Sequence, residues 1–171
     1  MKKITAALIG AGQRGLGAYA PYALEYPNEI EFVAVAEVDK ERREQFSNMH
    51  NIFGKNIFSD WKDLLDQEKL ADVILICTQD DMHFEPTIKA LEMGYHVLLE
   101  KPVSNNPLEC IKMEEAAEKF NRHLIVCHVL RYTSFFSTIK QLLDEGKIGN
   151  LVSIHHIERV AYWHQAHSFV R

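Results

Sequence analysis

Gly10-Ala11-Gly12-Gln13-Arg14-Gly15 stands directly after an apolar run at residues 3–9 and opens a helical stretch near residues 14–25. The spacing is G-x-G-x-x-G, and its place between a strand and a helix is what gives it meaning. Gly10 permits a tight turn, Gly12 lets the backbone approach a pyrophosphate, and Gly15 lets helix and strand pack closely. The first helical turn, carrying Gln13 and Arg14, offers amide donors and a favourable dipole to phosphates. A glycine-rich turn with no ligand has the same bare pattern, so the rest of the chain must decide.

Working outward, short apolar runs alternate with longer amphipathic ones, as in a parallel sheet with crossover helices. A second strand is expected over residues 30–37, where Phe32, Val33, Val35 and Val38 give strong β character. A charged helix follows at 40–49. A short strand at 56–58 leads to Ser59-Asp60, a cap for a helix running through Leu65. Residues 72–77 hold Val73-Ile74-Leu75-Ile76, a run suited to a strand buried on both faces. A helix over 85–93 stops at Gly94, and residues 96–100 form another buried strand. Asn106 as cap, Pro107 at the first helical position and Glu109 behind them start the next helix. Cys110, Met113, Ala117 and Phe120 share one of its faces. A strand at 124–127 and a helix at 136–145 complete the series. Residues 151–159 instead alternate Val152, Ile154 and Ile157 with Ser153, His155 and Glu158. That is the pattern of a strand in a different, half-exposed sheet.

The fold class expected is therefore α/β, a Rossmann-type doubly wound parallel sheet followed by the start of a second α/β domain. Residues 1–125 read as the dinucleotide-binding domain and 126–150 as a connection. Residues 151–171 read as the opening of a substrate domain whose remainder is absent, so the chain by itself is expected to be inactive.

Three more places in the chain carry chemistry. Glu37 closes the second strand about twenty residues beyond the glycine loop. A carboxylate there accepts hydrogen bonds from the adenosine ribose and repels the 2′-phosphate of NADP, so NAD is expected over NADP. Arg42 and Arg43 lie close by and would favour a phosphate, but read more simply as solvated helix residues. Thr78-Gln79-Asp80-Asp81-Met82-His83 follows the strand ending at Cys77, at the carboxyl edge where open α/β sheets bind ligands. Glu100-Lys101-Pro102 ends the next strand. A lysine there can hydrogen-bond a substrate hydroxyl or carbonyl and assist proton transfer. Taken singly, His83 also fits an ordinary helix-terminal histidine, and Lys101 a surface lysine before a turn.

Composition narrows the classes. Apolar residues make up 47% and charged residues 25%, with a formal charge of −5. There is no basic field for nucleic acid or for an anionic membrane. The apolar N-terminal run is broken by Gly10, Gly12 and Arg14, unlike a signal peptide, and no stretch is long enough to span a bilayer. Cys77, Cys110 and Cys127 are odd in number and far apart, which suits buried reduced thiols in a cytoplasmic protein. Of the nine histidines, His155 and His156 point to opposite faces of the expected strand. His164 and His167 have helical spacing with no carboxylate or cysteine to complete a set, so no metal is expected.

The order of these elements resembles the Gfo/Idh/MocA family, which includes glucose–fructose oxidoreductase and inositol dehydrogenases. The resemblance rests on the glycine loop, the strand-end acid, T-x-x-x-x-H, and Ala90-Leu91-Glu92-Met93-Gly94-Tyr95-His96-Val97-Leu98-Leu99-Glu100-Lys101-Pro102. It extends through Arg131-Tyr132 and Gly146-Lys147-Ile148-Gly149 to Trp163–Arg171, a stretch similar to one early in the second domain of some members. It implies NAD or NADP and oxidation of a sugar or polyol hydroxyl. It implies Lys101 as the catalytic-site lysine. The cofactor would be lined by Gly10, Gly12, Gln13, Arg14, Gly15, Glu37, Thr78, Gln79, His83, Glu100 and Lys101. The family's catalytic histidine belongs to the second domain, and no residue here matches it.

Three functions follow from that resemblance. The first is the cofactor-binding part of an NAD-dependent oxidoreductase for a sugar, inositol or related polyol. The second is an NAD-dependent glycosidase that oxidises its sugar transiently. The third is a non-catalytic dinucleotide sensor, which retention of Glu100-Lys101-Pro102 argues against. The expected partner is a small-molecule substrate. The oligomeric state stays open, a homo-oligomer being one outcome if the edge at 151–171 pairs with a second copy.

Overall fold

In the computed structural model, which describes residues 2–169, the chain divides into two units, Met1–His128 and Val129–Arg171. The first is an α/β unit whose six strands are β1 (Ile4–Ile9), β2 (Ile30–Ala36), β3 (Ile57–Phe58), β4 (Val73–Ile76), β5 (His96–Leu99) and β6 (Leu124–Val126). All pairs are parallel, in the order β3-β2-β1-β4-β5-β6. This is a Rossmann-type doubly wound sheet, and the strand order reverses between β1 and β4.

The helices of this unit are α1 (Ala20–Glu25), α2 (Lys40–Met49), α3 (Trp61–Leu65), α4 (Phe84–Glu92) and α5 (Pro107–Lys119). Successive side chains of a strand point to opposite faces, so β1 feeds two separate core layers. Ala7 and Ile9 pack with Leu64, Leu65, Leu91 and Met113 from α3, α4 and α5. Ala6 and Leu8 pack with Ala20, Ala23 and Phe46 from α1 and α2. The near-continuous apolar runs of β1 and β4 are thus explained by burial on both sides.

Two caps read from the sequence form as expected. Asp60 accepts from the Lys62 amide at 2.8 Å, and Asn106 accepts from the Leu108 amide at 3.0 Å. Asn106→Ala is expected to lower stability by about 1 kcal/mol, the usual worth of such a cap. A urea titration reads this as a lower midpoint at unchanged slope.

Some expectations need correction. The helix after the glycine loop is not regular, because residues Gly15–Tyr19 form a π-helical stretch before α1. The three cysteines are unpaired, as expected, but half-buried rather than buried. In the second unit, α6 (Ser134–Asp144) and α7 (Tyr162–Phe169) are helical, but residues 151–161 form no strand. Alternation of apolar and polar residues makes a strand only where a neighbour takes up its backbone groups. Among the described residues of this unit no other strand runs beside it. Val170 and Arg171, the end of the Trp163–Arg171 similarity, lie outside the described residues. No described helix is long and apolar enough to cross a membrane.

Candidate functional site

The carboxyl ends of the strands meet along one edge of the sheet, and the backbone ladder continues one residue past them. Gly10 N–H donates to Ala36 O at 2.9 Å, and Glu37 N–H donates to Phe58 O at 3.1 Å. Cys77, Glu100 and Cys127 donate in the same way to Ile9 O, Ile76 O and Leu99 O, at 2.8, 3.0 and 2.9 Å. Gly10, Glu37, Cys77, Glu100 and Cys127 therefore stand in one row along the edge.

The three glycines of the loop differ in what surrounds them. Gly10 has φ +92°, and a Cβ on it would lie 2.8 Å from the backbone carbon and oxygen of Cys77. A Cβ on Gly15 would lie 2.6 Å from Gly10 O and 2.9 Å from Leu8 Cδ2, so glycine here lets the helix sit against β1. Around a Cβ on Gly12 there is nothing within 4 Å. Gly12 sits instead on the wall of a cavity at the ends of β2 and β4 that is also lined by Glu37, Arg42, Trp61, Thr78 and Gln79. The helix begins at residue 13, so its first amides point toward the loop. Exposed backbone beside a helix N-terminus, with a carboxylate lining the same cavity, fits the pyrophosphate and ribose of a dinucleotide.

Glu37 lines this cavity but is only 7% exposed. Its Oε2 accepts from the Ala11 amide and its Oε1 from the Asp39 amide, the latter at 2.9 Å. The arginines are not merely solvated helix residues, contrary to expectation. Arg42 lines the cavity, and the Arg43 guanidinium donates to the Glu37 carbonyl.

Lys101 is exposed immediately after β5. Its amide donates to Glu100 Oε2 at 3.2 Å. Glu100 is buried, and its Oε1 accepts from Tyr19 OH at 2.7 Å with Arg14 Nε 3.9 Å away. Tyr19 OH also contacts Cys127 Sγ. Burial above all, then the bonds to Cys127 and Glu100, pushes the Tyr19 phenol well above its ordinary range. It stays a proton donor to Glu100. Burial likewise pushes the Cys77 and Cys127 thiols up, with Glu100's charge adding to the effect on both. Neither thiol is a nucleophile at neutral pH.

His83 is fully buried, with Nδ1 2.8 Å from Pro102 O and Nε2 3.3 Å from Thr78 O. It ties the Thr78 loop to the Glu100-Lys101-Pro102 loop and presents no surface to a ligand, so the expected contact with a cofactor is replaced by a structural one. Gln13, Arg14 and Gln79 are exposed and Thr78 is half-buried on the same edge. Sequence reasoning missed Trp61 and Tyr19. The signal for Trp61 was an aromatic residue directly after the Asp60 cap. Tyr19 carried no signal, because a π-helical stretch decides where its hydroxyl falls. Among the described residues, no group of three or more His, Cys, Asp or Glu is placed to hold a metal ion.

A family model described as an oxidoreductase family with an NAD-binding Rossmann fold matches residues 4–128. Glucose-6-phosphate 3-dehydrogenase of Bacillus subtilis is 29% identical over 154 residues, which cover 90% of this chain and 41% of that protein. The structure of myo-inositol 2-dehydrogenase from Lactobacillus plantarum superposes with TM-score 0.79 at 26% identity, over 88% of this chain and 44% of that one. That of the WlbA dehydrogenase from Bordetella pertussis, solved with NADH and UDP-GlcNAcA, superposes with TM-score 0.77 at 21% identity, over 85% and 42%. The chain thus spans less than half the length of each of these proteins.

Proposed function

The chain belongs to the Gfo/Idh/MocA family of oxidoreductases, with its NAD-binding Rossmann fold, and on that premise we propose that it is the cofactor-binding part of an NAD-dependent oxidoreductase acting on a sugar, inositol or related polyol. The observation that carries this reading is the bare backbone of Gly12 on the wall of a cavity that Glu37 also lines. The similarity to glucose-6-phosphate 3-dehydrogenase and myo-inositol 2-dehydrogenase supports the substrate class. On this reading residues 151–171 belong to the substrate-binding part.

In the proposed site Gly10, Gly12 and Gly15 shape the loop, and the amides of Gln13 and Arg14 meet the pyrophosphate. Glu37 faces the ribose, with Thr78 and Gln79 lining the same cavity. The bound dinucleotide supplies the carbon that accepts a hydride. Lys101 directs its ammonium group to the substrate oxygen, holds it in place and offsets the negative charge that grows on it, while the hydroxyl proton passes to a base of the substrate-binding part. Glu100, steadied by Tyr19 and Arg14, fixes the backbone of Lys101 through its amide.

Calorimetric titration tests the cofactor assignment. NADH is expected to bind at least tenfold tighter than NADPH, since about 1.4 kcal/mol of repulsion between the Glu37 carboxylate and a 2′-phosphate suffices for that ratio. Equal or tighter binding of NADPH would hand control of the ribose end to Arg42. No binding of either would remove the proposed function.

A further inference from the structure

We infer that Glu37 is a strut for the glycine loop, a positioning residue that holds the phosphate-binding backbone in shape before any dinucleotide arrives. The inference rests on the cofactor role proposed for this cavity and goes beyond reading the ribose. Each carboxylate oxygen already has a backbone donor. Oε2 accepts from the amide of Ala11, the residue between Gly10 and Gly12, and Oε1 accepts from the amide of Asp39. The side chain is buried, and its backbone is anchored in turn by Phe58 O and by the Arg43 guanidinium on its carbonyl. Gly10 N–H is held by Ala36 O. The loop is therefore pinned at two successive amides by two successive residues at the end of β2.

The physical consequence lies in ordering. A turn with glycine on both sides of Ala11 has many conformations to lose when it closes on a ligand. A charge-assisted bond from a buried carboxylate is about twice as strong as a neutral one, and it fixes the turn in advance. Pre-organisation of this kind raises affinity by lowering the entropy lost on binding. An ionised carboxylate has about four acceptor positions, so two amides leave room for a ribose hydroxyl. Glu37 thereby couples the ribose end of the cavity to the phosphate end. Removing its charge loosens the cradle for both cofactors, and relief of the 2′-phosphate repulsion offsets only part of that loss for NADPH.

Amide hydrogen exchange in the cofactor-free chain, followed by NMR for the wild type, Glu37→Gln and Arg42→Ala, tests this together with NADH and NADPH titrations. In the wild type the Ala11 amide should exchange as slowly as those of Leu8 and Ile9. Glu37→Gln should speed Ala11 by roughly tenfold or more while Leu75 and Ile76 hold, a factor that one lost hydrogen bond can supply. Affinity for NADH should fall with the lost protection, and affinity for NADPH should fall less, because the repulsion of the 2′-phosphate goes with the charge. Arg42→Ala, which touches the cavity but not Ala11, should leave Ala11 protected. Fast exchange at Ala11 in the wild type overturns the strut without recourse to any variant. So does a Glu37→Gln protein that keeps Ala11 protected and gains affinity for NADPH. A wild type that binds neither cofactor sinks the proposed function, and the exchange comparison still decides the strut.

Discussion

Gly12→Val is expected to weaken NADH binding by roughly a hundredfold or more while leaving the unfolding midpoint close to that of the wild type, a loss equivalent to about 2.7 kcal/mol. Inside the protein a Cβ at this position meets nothing within 4 Å, so the folded state has no reason to object. The space a valine would occupy is on the cavity wall, where a pyrophosphate must approach the backbone to reach the helical amides beyond it. Calorimetry for binding and circular dichroism for unfolding separate the two effects. A folded variant that keeps its affinity would remove the glycine loop from the site.

Gly10→Ala should do the opposite and damage the fold. Two costs coincide there. The φ of +92° is strained for a residue with a side chain, at about 1–3 kcal/mol. The new methyl would also press on the carbonyl of Cys77 at 2.8 Å, and overpacking of that kind costs about 1–3 kcal/mol more. The clash is with backbone at the end of β4, which cannot swing aside as a flexible side chain would. Urea unfolding should therefore show a loss of roughly 2–6 kcal/mol, combining the two terms. A midpoint near the wild type's would mean that β1 and β4 can part at this end without penalty. The two substitutions lie two residues apart and are expected to fail for unrelated reasons, one in the ligand's space and one in the protein's.

Much of the first unit was legible because its signals are local. Val73–Ile76 reads as a strand buried on both faces, and it lies between β1 and β5 with core on each side. Asp60 and Asn106 read as caps because a short polar side chain before a helix has a nearby amide to accept from. The steric need for glycine at positions 10 and 15 follows from their place between a strand and a helix. What stayed hidden depends on residues distant in the chain. His83 reads as a ligand contact until Pro102 and Thr78 take both its ring nitrogens. Glu37 reads only as a ribose acceptor, and its bond to the Ala11 amide becomes visible only once the loop and the end of β2 meet. Arg42 reads as solvated until the cavity it borders is formed by β4's loop. Residues 151–159 mislead in another way, since alternation states which faces a strand would have and not whether a neighbour is there to pair with it.

The strand order also bears on how this chain emerges from a ribosome. Of these six strands, the earliest in the chain is the one that ends in the middle of the sheet, between β2 and β4. Its first partner follows within about thirty residues, but its other edge waits for Val73–Ile76. For that whole interval of synthesis a strand whose last four side chains, Ala6 to Ile9, are buried in the finished fold has one row of amides and carbonyls unpaired. The glycine loop is unfinished for as long, because Gly10 packs against the Cys77 carbonyl, which does not yet exist. The unpaired edge of β1 and the incomplete turn at Gly10 are thus both resolved by the arrival of the same few residues.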